Sequence, residues 1–228
     1  MSHRHLREGP SGLDAAHVLP VLGLLDMPTY TPAALAGWPE SRAEAALERL
    51  GGAREAREWT EAERDNLLAA AHQATESADP CTAVGLAVGL HMPFNYRGWV
   101  THLADVHRSA VEVAARCGDW AGQAQAESYL GWVHRDQRRH EQAIDHLERA
   151  VACWDKAALP HRRMGSFNNL GIIYTMLGRL DLAHANLARA LEIAEERDDR
   201  YARGAILNNR VYVLYRQGRF EEAIAQAR

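Results

Sequence analysis

The chain has 228 residues, 47% of them hydrophobic, which is enough for one or two packed cores. Lys+Arg total 26 against Asp+Glu 30, a formal net charge of −4, with a pI near 6.3. Such a surface repels nucleic acid on average and argues against non-specific DNA binding by this chain alone. No apolar run approaches the ~20 residues needed to span a bilayer.

Residues 1–12 are polar, lack the apolar stretch of a signal peptide and are expected to be a disordered tail. Cys81, Cys117 and Cys153 are widely spaced and form no C-x-x-C, the usage expected of reduced thiols packed on helices. Together these features predict a cytoplasmic protein. The basic charge is almost wholly arginine, and the only lysine is Lys156.

Residues 13–53 predict a small helical segment. An apolar run from Val18 to Leu25 leads into Asp26-Met27-Pro28-Thr29-Tyr30 and a short alanine-rich helix. Ser41-x-x-Glu44 then opens a helix carrying Ala45, Ala46, Leu47 and Leu50, and Gly51-Gly52 ends it. Helices this short bury little core of their own. They suit a cap docked on the downstream helices or a partial winged-helix unit.

Residues 54–117 predict degenerate helical hairpins. Thr60-x-x-Glu63 reads as a capping box for a helix through Leu67, Leu68 and Ala71. Leu90, Phe94, Gly98, Leu103 and Ala110 then anticipate, in fainter form, the pattern downstream.

Residues 118–228 repeat with a period of about 40. Leu130-Gly131 falls on Leu170-Gly171, Ala143 on Ala183, Leu147 on Leu187 and Ala150 on Ala190. A further step places Asn168-Asn169 on Asn208-Asn209 and Gly178-Arg179 on Gly218-Arg219. Each unit reads as helix A, a Gly turn and helix B. Leu170, Gly171 and Tyr174 lie on one face of A, and Ala183, Leu187 and Ala190 on one face of B. The missing side chain of Gly171 lets B approach closely. Asp119 and Asp199 can cap the A helices of the first and third units, and Pro160 suits the first turn of the second. Neither helix can bury its stripe alone, so the units must stack.

This pattern resembles the tetratricopeptide repeat, most fully in the second unit. The resemblance implies an all-α fold: a right-handed superhelical array of helix-turn-helix hairpins, an α-solenoid, with the small N-terminal helical segment in front. The first unit departs at His134, where Tyr is usual. The third has Arg210-Val211 for Leu-Gly, so looser A–B packing is expected, and its last helix is short. Leu214, Phe220 and Ile224 are expected to be partly exposed there, which suggests self-association into a homodimer through that end.

More specifically, "VLGLLDMPTYTPAALAGWPESRAEAALERL" and "EWTEAERDNLLAAAHQA" resemble the winged-helix segment and the first repeat-region helix of AfsR/SARP-type actinobacterial transcriptional regulators. "SFNNLGIIYTMLGRLDLAHANLARALEIAEERDD" is similar to their repeats. The resemblance spans roughly residues 17–228 and implies the sensor or interaction part of such a regulator. Their DNA-binding and ATPase domains have no counterpart here: no G-x-x-x-x-G-K-[ST] occurs. DNA binding through residues 13–53 would need a basic recognition helix, yet Arg42 and Arg49 face Glu40, Glu44 and Glu48.

Catalysis finds little support. There is no G-x-S-x-G and no H-E-x-x-H; His102 and His107 are five apart, and the histidines read as surface residues rather than metal ligands. No cofactor and no metal are expected. The expected partner is a protein or peptide, held on the A helices by Tyr129, Trp132, Arg135, Asn168, Asn169, Ile172, Asn208, Asn209, Tyr212, Tyr215 and Arg216. Asparagine is a mediocre helix former, so its recurrence at one repeat position invites a reason. Its amide can both donate to and accept from a peptide backbone, or bond the neighbouring helix within the array.

Overall fold

The structure, a computed structural model, describes residues 58, 61, 62, 64–76 and 80–227. The expectations for residues 1–53 and the Thr60–Glu63 capping box therefore lie outside the described residues. Among the described residues there is no strand, and no helix is long and apolar enough to cross a membrane. The helices are α1 (Arg64–Glu76), α2 (Pro80–Tyr96), α3 (Val100–Cys117), α4 (Trp120–Asp136), α5 (His140–Lys156), α6 (Arg163–Met176), α7 (Leu180–Glu196), α8 (Arg200–Arg216) and α9 (Phe220–Ala227). A 3-10 turn, Pro160–Arg162, precedes α6. The fold is the all-α array of tetratricopeptide-type hairpins that the period implies.

Two compact units divide the chain, residues 1–129 and 130–228. In the first, α2 and α3 pair around Leu90, Phe94, Leu103 and Ala110, all fully buried. Asp119 caps the next helix: its Oδ1 accepts from the Gly122 N–H at 2.9 Å. In the second, a continuous core joins Ala143, Ile144 and Leu147 to Phe167, Leu170, Ile173, Tyr174, Ala183, Leu187 and Ala190, and onward to Ile206 and Val213. Asp199 Oδ1 accepts from the Ala202 N–H at 2.9 Å, so the second expected cap is also made.

A left-handed residue ends each helix from α2 to α8, and these residues fall 20 positions apart. They are Gly98, Gly118, Arg138, Ala158, Gly178, Asp198 and Gly218, with φ between 51° and 75°. At Gly178 its own N–H donates to the Thr175 carbonyl at 3.1 Å, and the Arg179 N–H donates to the Tyr174 carbonyl at 2.8 Å. The same pair of bonds closes the other six turns. Each satisfies carbonyls that the helix end would otherwise leave open. Glycine enters this conformation without steric cost, whereas an L side chain costs about 1–2 kcal/mol. Ala158 is exposed at such a turn. Ala158→Gly is therefore expected to stabilise the protein by up to about 1 kcal/mol, and Gly178→Ala to destabilise it by about 1 kcal/mol. Urea denaturation of both variants checks the opposite signs.

Close approach is the second requirement. A Cβ placed on Gly171 would lie 2.5 Å from Leu187 Cγ, and one on Gly131 would lie 2.5 Å from Leu147 Cγ. The leucine of helix B thus fills the space above the glycine of helix A. In the third hairpin the repeat register places Val211 and Ala227 at these positions, the first half-buried and the second exposed.

At the last hairpin the expectation needs one correction. Phe220 and Ile224 are exposed, at 54% and 50%, but Leu214 is 2% exposed. Leu214 stands at the position of Tyr174, which is buried at 8% exposure, and Ala223 on the short α9 is buried as well.

Candidate ligand-binding face

Within residues 130–228, the A-type helices α4, α6 and α8 carry the predicted face. Trp132 and Arg135 lie on α4, and the Arg135 guanidinium sits 5.3 Å from the Trp132 ring centroid. Its Nη2 also reaches Asp136 Oδ1 at 2.8 Å, and its Nη1 donates to Asn169 Oδ1 at 3.0 Å. One step along, Asn209 Nδ2 donates to Asn168 Oδ1 at 3.0 Å. The asparagines therefore form rungs between successive A helices. Asn168, Asn169 and Asn209 each spend one end of the side-chain amide on such a rung. Asn208 is exposed.

Aromatic residues extend the face. Tyr212 and Tyr215 are exposed on α8, and Ile172 is half-buried on α6. Arg216 lies over the Tyr212 ring at 5.9 Å and its Nη1 donates to the Tyr212 hydroxyl at 3.4 Å. Tyr215 meets Phe220 edge to face at 5.6 Å. Arg216, like Arg135, thus presents its guanidinium next to an aromatic ring, an arrangement that holds a cation in place without removing its charge.

Tyr129 does not belong to this face. It is 8% exposed, and its ring stacks on His107 with centroids 5.1 Å apart and planes 8° apart. His91 closes the cluster: its Nδ1 lies 3.1 Å from His107 Nε2, and its ring is 4.4 Å from that of Tyr129. His91, His107 and His134 are all buried, which corrects the reading of the histidines as surface residues. The repeat register explains the burial. His91 occupies the position of Gly131 and Gly171, and His107 that of Leu147 and Leu187. Two mutually hydrogen-bonded rings replace the Gly–Leu contact. Burial pushes the His107 pKa down from 6.5 to about 3. Among the described residues, no group of three or more His, Cys, Asp or Glu gathers as metal ligands would.

Residues 126–158 and 163–228 each match the tetratricopeptide repeat family. No curated protein matches the chain. Among solved structures, BtubC (BKLC) from P. vanneervenii is similar, with a TM-score of 0.61 and 20% identity over 93% of this chain and 85% of that one. The nearly identical TPR-like repeats of a Podosopora anserina kinesin light chain candidate are also similar, with a TM-score of 0.59 and 18% identity over 87% of this chain and 94% of that one. At these identities the likeness is one of fold. None of these matches is to an AfsR/SARP-type regulator.

Proposed function

We propose that this chain is a protein- or peptide-binding module that holds its ligand on the A-helix face of residues 130–228. Tetratricopeptide repeats in general serve protein interaction, and the observation that carries the proposal here is the state of α8. Tyr212, Tyr215 and Arg216 stay exposed although aromatic and arginine side chains are the commonest binding anchors. The guanidinium of Arg216 favours a ligand with carboxylates. A place in a transcriptional regulator is the finer reading; it has the resemblance of residues 17–228 behind it and rests on sequence alone.

Selection of a displayed random-peptide library on the purified chain tests the proposal. Enriched peptides are expected to bind the wild type and to lose at least tenfold in affinity, about 1.4 kcal/mol, against Tyr212→Ala with Arg216→Ala. The melting temperature of that variant should stay within a few degrees of the wild type, because both side chains are exposed. Failure to enrich any peptide, or equal binding by the variant, would overturn the assignment of this face.

A further inference from the structure

The junction between α7 and α8 breaks the apolar pattern of the array at two positions. One repeat earlier, Ile144 and Leu170 occupy them, 6% and 3% exposed, within a single apolar core. The register of 40 puts His184 and Arg210 in their place. Leu90 and Leu130 also hold the position of Arg210, and both are buried. An imidazole and a guanidinium therefore stand where the preceding junction packs isoleucine and leucine.

Both groups are poorly served there. His184 Nδ1 and Arg210 Nε are buried atoms, and among the described residues neither finds a hydrogen-bond partner. A buried polar atom without a partner weakens the contact that buries it. Charge adds to this. Burial depresses the His184 pKa below its ordinary 6.5, and of the neighbouring charges Arg210 presses it furthest, followed by Arg219. Glu222 on α9 and Asp181, one turn back on α7, pull the other way. Their carboxylates are already engaged: Arg219 donates to both Glu222 oxygens at 2.7 and 2.6 Å, and Gln217 Nε2 donates to Asp181 Oδ1 at 3.1 Å. The ionisable groups of α6, the other helix packed on α7, are occupied elsewhere: Arg163 pairs with Asp155, and Tyr174 lies among Glu148, Arg179 and Glu141.

Protonation of His184 thus sets a second cation beside the Arg210 guanidinium. An opened junction exposes the imidazole to water, where it takes up a proton near pH 6.5. As pH falls through that value the opened form binds more protons than the closed one, so closure weakens. Above it the Asn209–Asn168 bond and the burial of Ile206 and Val213 hold α8 in place. Each unit of a solenoid contacts only its neighbours, so one junction can open while others stay packed. We infer that the α7–α8 junction is an acid-operated joint, at which protonation of His184 against Arg210 frees the α8–α9 hairpin from α7. Tyr212, Tyr215 and Arg216 ride on the hairpin that moves. The joint acts in the free chain and does not depend on the binding reading of that face.

Hydrogen exchange on the full chain, expressed as protection factors between pH 7.5 and 5.0, tests the joint. Protection in residues 200–227, taken relative to residues 163–176 of the same sample, is expected to fall at least about threefold across that range. His184→Ile with Arg210→Leu installs the pair of the preceding junction and should hold the ratio constant. His184→Gln keeps a polar side chain, removes the titration and should hold it constant as well, which covers poor folding of the double variant. A ratio that stays level in the wild type, whether both spans keep their protection or lose it together, would overturn the joint. So would an equal fall in His184→Gln.

Discussion

Gly171→Val is expected to destabilise the protein, and a second substitution, Leu187→Ala, is expected to return much of the loss. The single variant forces branched carbons into space where even a Cβ would lie 2.5 Å from Leu187 Cγ and 3.3 Å from the Ala183 carbonyl oxygen. Overpacking of this kind costs about 1–3 kcal/mol. Leu187→Ala alone leaves a cavity at a fully buried site, with a cost of about 2–5 kcal/mol. Together the two changes install the residue types that the repeat register places at Val211 and Ala227 in the third hairpin. Volume is then roughly conserved, and the double variant should lie above the sum of the singles by at least about 1 kcal/mol. Urea denaturation of the four proteins gives the coupling. A coupling near zero would mean that these two residues do not share the A–B seam.

The same register shows how much of this molecule can be read from its sequence. Positions where the repeat needs absence of bulk are legible where small residues recur, as at Gly131 and Gly171, Ala143 and Ala183, and Ala150 and Ala190. The turns are less legible. Gly98, Gly178 and Gly218 announce themselves, but Arg138 occupies the same left-handed conformation with φ 61°, and nothing about arginine signals a turn. Only its place 40 residues before Gly178 does. The asparagine positions can be seen, but not their partners: an amide that can grip a peptide backbone can equally bond the next helix, and Asn168 and Asn169 do the latter. Leu214 misleads because proximity to the last helix in sequence is not proximity to the open end in space. The buried histidines are within reach of the periodicity, since adding 40 to 91 and 107 gives Gly131 and Leu147. Residue type pulls the other way, because histidine in a polar helical chain is usually exposed.

Acidification is expected to destabilise this protein through His107. In the unfolded chain His107 takes up a proton near pH 6.5; in the folded chain burial depresses its pKa to about 3. Between those values the unfolded state binds more protons, so stability rises with pH and is lost as pH falls. The stabilising contribution is complete above 6.5, and each unit below it removes about 1.4 kcal/mol per such group until pH nears 3. At pH 5 His107 alone accounts for about 2 kcal/mol, a large part of the stability of a typical domain. His161 and His184 have pKa values lowered chiefly by burial and add to the same slope, although both are more exposed. Protonation of His107 would also place charge 3.1 Å from His91 Nδ1 and against the stacked Tyr129 ring. His91→Gly with His107→Leu restores the Gly–Leu contact found at Gly131–Leu147 and Gly171–Leu187 and removes the titrating His107 imidazole. Its unfolding free energy, followed from pH 7.5 to 4.5, should fall less steeply than that of the wild type, with the two curves diverging below pH 6.5. Parallel curves would show that the acid sensitivity of the fold resides elsewhere.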